Sequence, residues 1–494
     1  MHNPPSHNFA AQLLERISEN SSLVEAASGS SLSAAEVRTQ IAGFAARFLS
    51  TGLRPGDSML LSCGLNSACA LAYLGAMYAG LVPVLLDERT HAASGHSVNA
   101  RVGAKAVWSA KPIPRDWAVQ AGVPIVEGGC APLDPASLQP FSAFQDDLAV
   151  LMPTSGSTGA PRFVKVSHGN LIANTEAIIR SQRLGADEKA MLIMPISYCF
   201  GASVLHTHLY QGGSVVFDGR FMFPDKVLRA INDYGCTSFA GVPTVYNILL
   251  RRSNVRTMTF PTLRRFLQAG GVLAPQSIEE MQAIVPGAEF FVMYGQTEAT
   301  ARISCLPPER LRDKLGCAGV PLENLKVRIV DDQEHEVPKG SLGHILVTGP
   351  SVCEGYFDEP EVSQAKFRDG WLHTGDVGLL DKDGYLWIQG RTSDFIKIRG
   401  YRVGLADVEA RIAAAPGVIE CAATGVPHPE AGEALAIFVV PDENYPSANG
   451  TPSLMDRIRQ ALPSQWTCSS VKVVSDLPRT ANGKIARSHL QTLA

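Results

Sequence analysis

Up to about residue 320, the chain alternates between short apolar runs and longer segments in which apolar residues recur at helical spacing. Short apolar runs are typical of strands buried on both faces, and the segments between them are long enough for crossover helices. This pattern predicts an α/β fold with a large region of parallel-rich sheets and flanking helices. The strand-like runs are 104–110, 123–128, 191–195, 214–217, 237–240, 264–269 and 289–293.

Two stretches near the start of the chain carry more specific local signals. Ser33 and Glu36 have the spacing of a capping box, and apolar residues at helical spacing follow them. Residues 59–86 are apolar and long enough to cross a bilayer. Because Asn66 and several Gly and Pro breaks divide that stretch, the pattern favours a buried strand–helix–strand unit, and we expect no membrane insertion.

The pattern changes near residue 320. Residues 327–350 alternate apolar and polar positions around a turn, and residues 371–391 have the pattern of a hairpin that turns at DKDG. These features predict an antiparallel or barrel-like subdomain. We therefore expect a large N-terminal domain over residues 1–391 that binds the substrates.

Residues 392–494 have the pattern of a separate, small α+β domain of about a hundred residues. The helix-like segment 407–415 precedes the strand-like run 434–441. A loop rich in Pro, Asn and Gly, a second helix-like segment and the strand-like run 471–474 follow.

Composition and charge narrow the class of protein. A chain of 494 residues with 45% hydrophobic and 18% charged residues is typical of a folded protein with several domains. A net charge of −4 argues against a nucleic-acid binder, which needs a basic face. The ten cysteines show no C-x-x-C spacing, so we predict no zinc framework and expect reduced thiols in the cytoplasm. The N-terminus has neither the basic segment nor the apolar core of a signal peptide.

The first candidate site is a loop rich in hydroxyl groups and glycine that follows the apolar run 147–152. Glycine lets the backbone approach a ligand closely, and successive amides can surround phosphate oxygens. By itself, such a run is equally typical of a linker. Ala-Pro-Arg follows the last glycine, so this is not the G-x-x-x-x-G-K-[ST] loop of kinases and GTPases. The residues of this candidate phosphate loop are Thr154, Ser155, Gly156, Ser157, Thr158, Gly159 and Arg162.

Three further motifs carry candidate chemistry. In MYGQTEAT, Tyr294 can stack on a planar base, Thr297 offers a hydroxyl to a phosphate, and Glu298 is a hard oxygen ligand for Mg²⁺. In WLHTGD, Asp376 suits the paired hydroxyls of a ribose. In PRTANGKIAR, an Asn-Gly turn presents Lys484 between two arginines. Each motif also has an ordinary reading, as a polar turn, a hairpin end or a solvated basic tail.

Taken together, the motifs resemble those of the acyl-adenylate-forming superfamily. That group includes acyl- and aryl-CoA synthetases, adenylation domains of nonribosomal peptide synthetases, and firefly luciferase. The resemblance implies an enzyme that uses ATP to convert a carboxylic acid to an acyl-AMP, releases pyrophosphate, and transfers the acyl group to a thiol. It covers nearly the whole chain, and the motifs occur in the order and spacing of the family. They are TSGSTGAPRFVK, YGQTEAT, WLHTGD, GRTSDFIKIRGYRV and RTANGKIAR.

The resemblance implies a role for each motif. The hydroxyl-rich loop would hold the β- and γ-phosphates, Thr297 the α-phosphate and Glu298 the Mg²⁺. Lys484 would bridge the substrate carboxylate and the α-phosphate, where negative charge builds up. Asp376 would bind the ribose hydroxyls, and Arg391 the ribose or the phosphates. The residues at positions that bracket adenine in the family are Gly270, Gly271 and Tyr294.

The resemblance also implies that the small domain is a mobile lid. Lys484 would complete the site when this domain closes, and leave it when the domain rotates for the thiol step. The pivot would be Ser393, where many relatives have Asp or Lys. Arg162 and Phe163 also depart from the commonest pattern, which is Lys-Gly. Because Phe lacks the backbone freedom of glycine, we expect a more rigid exit from the phosphate loop.

The acyl pocket is expected in the segment after the strand-like run 191–195. Amino-acid-activating relatives have an Asp at the position of Cys199, and no acidic residue occurs between 191 and 217. A buried ammonium without a partner would be costly, so we expect an acid that lacks an α-amino group, either aryl or aliphatic. The candidate pocket residues are Tyr198, Cys199, Phe200, Gly201, Val242 and Met293.

Two thiol acceptors are consistent with the sequence. Lys397 and Arg399 lie in a segment similar to that of adenylation domains that load the phosphopantetheine of a separate carrier protein. CoA needs no protein partner, and we favour it. A non-catalytic acyl- or nucleotide-binding protein and a luciferase-like oxygenase are the remaining alternatives. Retention of the loop hydroxyls, Glu298 and Lys484 favours an enzyme.

Overall fold

The structure of the protein is a computed structural model that describes residues 7–113, 122–154, 161–392, 395–399, 401–442, 453–463, 466–479 and 485–494. The helices are α1 (Phe9–Arg16), α2 (Ala34–Ser50), α3 (Ser67–Tyr78), α4 (Glu88–Val102), α5 (His168–Gln182), α6 (Cys199–Tyr210), α7 (Pro224–Asp233), α8 (Pro243–Arg252), α9 (Pro275–Ile284), α10 (Pro360–Lys366), α11 (Leu405–Ala413), α12 (Leu454–Ala461) and α13 (Arg487–Leu493). The strands are β1 (Ser22–Glu25), β2 (Ser31–Ser33), β3 (Ser58–Cys63), β4 (Val82–Asp87), β5 (Ala106–Ser109), β6 (Ile125–Glu127), β7 (Leu148–Thr154), β8 (Arg162–Ser167), β9 (Lys189–Leu192), β10 (Ser214–Phe217), β11 (Ser238–Gly241), β12 (Arg265–Gln268), β13 (Glu289–Tyr294), β14 (Ser304–Leu306), β15 (Val320–Pro321), β16 (Lys326–Val330), β17 (Gly343–Thr348), β18 (Phe367–Arg368), β19 (Trp371–Leu380), β20 (Leu386–Arg391), β21 (Phe395–Ile398), β22 (Tyr401–Gly404), β23 (Val418–His428), β24 (Gly432–Pro441) and β25 (Cys468–Val473).

Two parallel-rich sheets form most of the fold, as the sequence predicts. The nine-stranded sheet has the order β15-β14-β13-β12-β11-β9-β10-β1-β2, with a parallel centre and antiparallel edges. The six-stranded sheet has the order β6-β5-β3-β4-β7-β8 and is parallel except for the β7–β8 pair. The apolar stretch 59–86 forms β3, α3 and β4, which is the predicted strand–helix–strand unit. Across the described residues, none of the helices combines the length and apolar character that a membrane span requires.

The antiparallel subdomain and the small α+β domain also follow the predicted patterns. In the former, β16, β17 and β19 are adjacent, and both β18 and β20 pair with β19. The last sheet has the order β22-β21-β24-β23, with β25 added in parallel to β24. Arg391 is the last residue of β20, and β21 of the last sheet begins at Phe395. The domain boundary after Arg391 stays a prediction.

Helices α3 and α6 lie in a hydrophobic core that the two parallel-rich sheets share. Every residue of α6 is buried, so this helix is covered on all sides. It packs against α1 and α5, and the same core cluster contains Leu61 of β3 and Leu192 of β9. At the N-terminus of α2, Ser33 and Glu36 form the predicted capping box.

The topology of the nine-stranded sheet brings four loops to one edge. The parallel strands β9, β11, β12 and β13 are adjacent, so their carboxyl ends point the same way. Strand β10 lies on one side of β9, and the next strand in the chain, β11, lies on its other side. The order in which the strands are added to the sheet therefore reverses at β9. In open α/β sheets, ligands bind outside the carboxyl ends of the strands at such a reversal.

His168, His206 and His208 are buried, and the first two contact α1 and α3 in the shared core. Nδ1 of His168 accepts a hydrogen bond from the backbone N–H of Phe9 at 3.1 Å, and Nε2 of His206 lies 3.1 Å from the hydroxyl of Tyr73. Burial is the main cause that lowers the pKa of His168 to about 4 and the pKa of His206 to about 3. Both imidazoles are therefore neutral at pH 7 in the folded protein, and they take up protons near pH 6.5 only when the chain unfolds.

We predict that the free energy of unfolding decreases as the pH falls from 7 to 5.5. Below pH 6.5, protonation stabilises the unfolded state by about 1.4 kcal/mol per histidine and pH unit. Urea unfolding of the wild-type protein and His206→Phe at both pH values measures the effect. The variant, which takes up no proton at this position, should lose less stability. Equal losses in the two proteins would contradict the neutral, buried state of His206.

Candidate active site

Five of the twelve predicted nucleotide-binding residues line a cavity of about 180 Å³ at the carboxyl edge of the nine-stranded sheet. Those on its wall are Gly270, Gly271, Tyr294, Asp376 and Arg391, and Met293 from the predicted acyl pocket lines it as well. The apolar side chains that complete the wall were not predicted, because isolated apolar residues after strands are indistinguishable from core residues in a sequence. These include Val272, Leu273, Ile278, Cys317, Ala318 and Ile388.

The hydroxyl of Tyr294 connects the nine-stranded sheet to the antiparallel subdomain. It donates a hydrogen bond to Oδ2 of Asp376 at 2.5 Å, and Nε of Arg391 lies 3.4 Å from Oδ1 of the same carboxylate. Asp376 and Arg391 face each other across the β19–β20 hairpin. Burial, followed by the charge of Asp376, raises the pKa of Tyr294 well above its ordinary value, so the phenol remains a donor. The carboxylate is buried and held from two sides, which suits recognition of paired hydroxyls.

Thr297 and Glu298 lie on a short 3-10 turn directly after β13. The next cap residue, Thr300, has a φ of +64°, which is unusual for a β-branched side chain. The hydroxyl of Thr300 donates to the carbonyl of Ser351 at 2.8 Å, and the N–H of Cys353 donates to the carbonyl of Glu298 at 3.0 Å. Backbone strain of this kind persists only where neighbouring structure imposes it, and it clusters at functional sites.

The carboxylate of Glu298 is oriented by Tyr356, whose hydroxyl donates to Oε1 at 2.6 Å. The guanidinium of Arg162 lies 5.8 Å from the centre of the Tyr356 ring, and its Nε donates to Glu359 at 2.9 Å. Within the described ranges, no three or more His, Cys, Asp or Glu side chains converge to hold a metal ion. One oriented carboxylate fits Mg²⁺, which is commonly held by one or two carboxylates together with substrate phosphates.

Lys366 is a candidate site residue that the sequence analysis missed. It ends α10, and its Nζ donates to the carbonyl of Thr374 at 2.7 Å. Burial is the main cause that lowers the pKa of Lys366, while Glu298 acts to raise it and Arg391 to lower it. The amine therefore contacts β19 and is close enough to Glu298 and Arg391 for their charges to act on it. A lysine at the end of a helix is common, so its sequence context carried no signal.

The predicted acyl pocket adjoins the nucleotide cavity. Gly270 has a φ of +87°, and a Cβ at this position would lie 2.8 Å from the hydroxyl of Tyr198 and 3.0 Å from Cγ1 of Val242. These contacts leave no room for a side chain at Gly270. The hydroxyl of Thr297 donates to Sγ of Cys199 at 3.4 Å, which joins the start of α6 to the turn after β13.

The other predicted acyl-pocket residues make the following packing contacts, and their role in substrate binding stays a prediction. The ring of Phe200 lies 6.4 Å from that of Tyr198 in an edge-to-face arrangement. A Cβ at Gly201 would lie 2.2 Å from the carbonyl oxygen of Pro195, so a glycine lets α6 begin close to the preceding loop. The sulfur of Met293 accepts from the side chain of Gln182 at 3.0 Å.

Some predicted residues lie outside the described part of the chain, and their roles stay predictions. Thr154 ends β7 and Arg162 begins β8, and the two residues face each other in the antiparallel pair, so both ends of the predicted phosphate loop are placed. The predicted residues outside the described ranges are Ser155, Gly156, Ser157, Thr158, Gly159, Ser393 and Lys484.

The sequence matches the profile of an AMP-binding enzyme over residues 14–357 and that of an AMP-binding enzyme C-terminal domain over residues 407–484. The chain belongs to the AMP-binding enzyme family. The resemblance predicted from the five motifs is thereby confirmed.

Some relatives of this AMP-binding enzyme match nearly its whole length. A feruloyl-CoA synthase from Amycolatopsis sp is 32% identical over 468 residues, which cover 94% of each chain. The structure of ATP-bound MatB from Rhodopseudomonas palustris is similar with a TM-score of 0.90 at 28% identity, over 99% of each chain. The o-succinylbenzoate CoA synthetase from Bacillus subtilis in complex with OSB-AMP gives a TM-score of 0.86 at 25% identity, over 98% of each chain. The prediction of an α/β fold with a larger N-terminal and a smaller C-terminal domain is confirmed, as is that of an AMP-forming acid–CoA ligase.

Gly295 allows the turn after β13 to pass close to the following segment, and we predict that Gly295→Ala displaces this turn. A Cβ at Gly295 would lie 1.9 Å from the carbonyl oxygen of Ala301, which is backbone and cannot rotate away. The expected cost is about 1–3 kcal/mol in the free energy of unfolding, together with weaker ATP binding. Denaturant unfolding and calorimetry with ATP are the measurements. In the control Gly287→Ala, the added Cβ meets no atom within 4 Å, so both properties should stay unchanged. Equal effects of the two substitutions would contradict this packing constraint.

Proposed function

We propose that this AMP-forming ligase activates a carboxylic acid that lacks an α-amino group, and transfers the acyl group from acyl-AMP to CoA. The observation that carries the proposal is the cavity that joins Tyr294, Asp376 and Arg391 next to the turn of Thr297 and Glu298. A cavity with this lining suits adenosine, and the adjacent turn suits its phosphates and Mg²⁺.

The proposed chemistry has two steps. In the first, an oxygen of the substrate carboxylate forms a bond to the α-phosphorus of ATP, and the bond to pyrophosphate breaks. In the second, the thiolate of CoA attacks the acyl carbon, and AMP leaves with the carboxylate oxygen. Thr297 and Lys484 would stabilise charge on the α-phosphate, Glu298 would hold Mg²⁺, and Asp376 would bind the ribose. The hydroxyl-rich loop that begins at Thr154 would hold the departing phosphates.

The start of α6 supports the absence of an α-amino group in the substrate. Cys199 occupies the position at which amino-acid-activating relatives have an Asp. Its Sγ accepts a hydrogen bond from the hydroxyl of Thr297. The next carboxylate along the chain, Asp218, is fully buried and already paired with Nε and Nη2 of Arg220 at 2.9 and 2.7 Å. The segment from 191 to 217 therefore supplies no carboxylate to pair with an ammonium group at the start of α6.

We also propose that the protein works in the cytoplasm. All ten cysteines are free thiols in the structure, and eight of them are buried. Free thiols are typical of a reducing compartment. The phosphopantetheine arm of a carrier protein is the alternative acceptor, because Lys397 and Arg399 lie in a segment similar to that of carrier-loading domains.

An assay with matched acids tests the substrate class. The protein is incubated with ATP, Mg²⁺ and CoA, with propanoate against alanine and with 3-phenylpropanoate against phenylalanine. We expect AMP and a CoA thioester from the unsubstituted acids and none from the amino acids. Activity with the amino acids would contradict the acid class. Transfer to a phosphopantetheinylated carrier protein but not to CoA would reverse the acceptor.

We predict that Lys484→Ala separates the two half-reactions. Loss of its charge at the α-phosphate should lower the rate of acyl-AMP formation about 100-fold or more. Thioester formation from supplied acyl-AMP should stay within about threefold, because the proposed lid moves this lysine away for the second step.

The control is Lys472→Ala, which removes an exposed lysine from β25 of the same domain and should leave both half-reactions unchanged. Rapid-quench measurement of acyl-AMP and of thioester gives the two rates separately. A loss of both half-reactions to the same extent in Lys484→Ala would contradict the rotating-lid assignment.

A further inference from the structure

Arg302 is a fully buried cation for which no carboxylate partner occurs among the described residues. Only 2% of the residue is exposed, and its Nε has no hydrogen-bond partner. Its backbone is fixed, because the N–H donates to Oδ1 of Asn174 at 3.2 Å and the carbonyl accepts from Nδ2 of Asn174 at 2.9 Å. Tyr198, Cys199 and Cys305 are the ionisable groups that lie near the guanidinium, and no Asp or Glu is among them. Burial raises the pKa of the Tyr198 phenol and of the Cys305 thiol, so neither group is ionised at neutral pH to balance the guanidinium.

The guanidinium lies beside the predicted acyl pocket. Its central carbon is 4.8 Å from the centre of the Phe200 ring, at the start of α6. The neighbouring Cys199 accepts from Thr297, the residue proposed to contact the α-phosphate. The start of α6 therefore contacts both Arg302, through Phe200, and the proposed adenylation turn, through Cys199.

The contacts of Arg302 compensate only part of the free energy that it costs to bury its charge. Guanidinium keeps its charge in proteins, and taking an ion out of water costs much more than one cation–π contact returns. A buried arginine without a carboxylate partner can bind an anionic group of a ligand. Its planar guanidinium can donate two parallel hydrogen bonds to a carboxylate. The same positive charge would repel an ammonium group, in agreement with the acid class proposed above.

We infer that Arg302 binds a second anionic group of the acid substrate, so that the preferred substrates are dicarboxylic acids. This inference rests on the proposed function, since it assigns one end of the acid to adenylation and the other end to Arg302. Arg302 acts as a specificity residue, which contacts the substrate away from the reacting carboxylate.

Pairs of acids that differ by one carboxylate test this inference. The pairs are butanoate and succinate, hexanoate and adipate, and benzoate and phthalate, each assayed for AMP and CoA thioester formation. Wild-type protein should use the better diacids with a kcat/KM at least about tenfold above that of their partners. Arg302→Met should lower the kcat/KM for diacids roughly 100-fold and change that for monoacids by less than about threefold. Arg302→Lys, which keeps the charge without the fork, should be intermediate.

Measurements of thermal stability distinguish a substrate-binding role of Arg302 from a purely structural one. Replacing a buried, unpaired charge by an apolar side chain of similar size is often neutral or stabilising, so Arg302→Met should unfold at the same or a higher temperature than wild type. The control Arg180→Met removes a half-exposed arginine of α5 and should leave the diacid preference unchanged. A destabilised Arg302→Met protein that loses both classes of acid equally would overturn the inference.

Calorimetric binding of the same acids distinguishes the inference from the function on which it rests. Diacids that bind wild type but not Arg302→Met, without any AMP formation, would support the anion site and contradict the ligase activity. AMP and thioester formation that is at least as efficient with monoacids would support the ligase activity and overturn the role of Arg302.

Discussion

The candidate active site depends on the junction between the nine-stranded sheet and the antiparallel sheet. The bond from the hydroxyl of Tyr294 to Asp376 crosses this junction, and the N–H of Cys353 fixes the carbonyl of Glu298 across the same boundary. Tyr356 adds a third link, through its hydroxyl bond to the Glu298 carboxylate. The nine-stranded sheet carries the residues suited to adenine and those suited to the α-phosphate and Mg²⁺, whereas the antiparallel sheet supplies Asp376, which suits the ribose. Thr300, which lies at this junction, has a strained backbone conformation with a positive φ.

Much of the fold could be predicted from local sequence. The apolar stretch 59–86 could be divided correctly because Asn66 interrupts it, and this residue forms the N-cap of α3. The hairpin of β19 and β20 followed from alternation around DKDG. These features depend on neighbouring residues, so their periodicity and turn chemistry are visible in the sequence.

The candidate site could be predicted only where its residues lie in motifs. Tyr294 and Asp376 are 82 positions apart, and each was identified from its own motif. Arg302 and Lys366 were missed, because what distinguishes them is burial beside groups that are distant in sequence. An arginine a few residues after a motif and a lysine at a helix end are ordinary in a sequence. Their desolvation appears only when the chain has folded.

The central claim is that the substrate carboxylate attacks the α-phosphate, with the turn of Thr297 and Glu298 beside the reacting atoms. Transfer of ¹⁸O tests it most directly, because the attacking oxygen stays on phosphorus when the thiol displaces AMP. After turnover with ATP, CoA and an acid labelled in its carboxylate, mass spectrometry should find one ¹⁸O atom in AMP and none in pyrophosphate. Label in inorganic phosphate with release of ADP, or unlabelled AMP accompanied by thioester, would contradict acyl-adenylate chemistry.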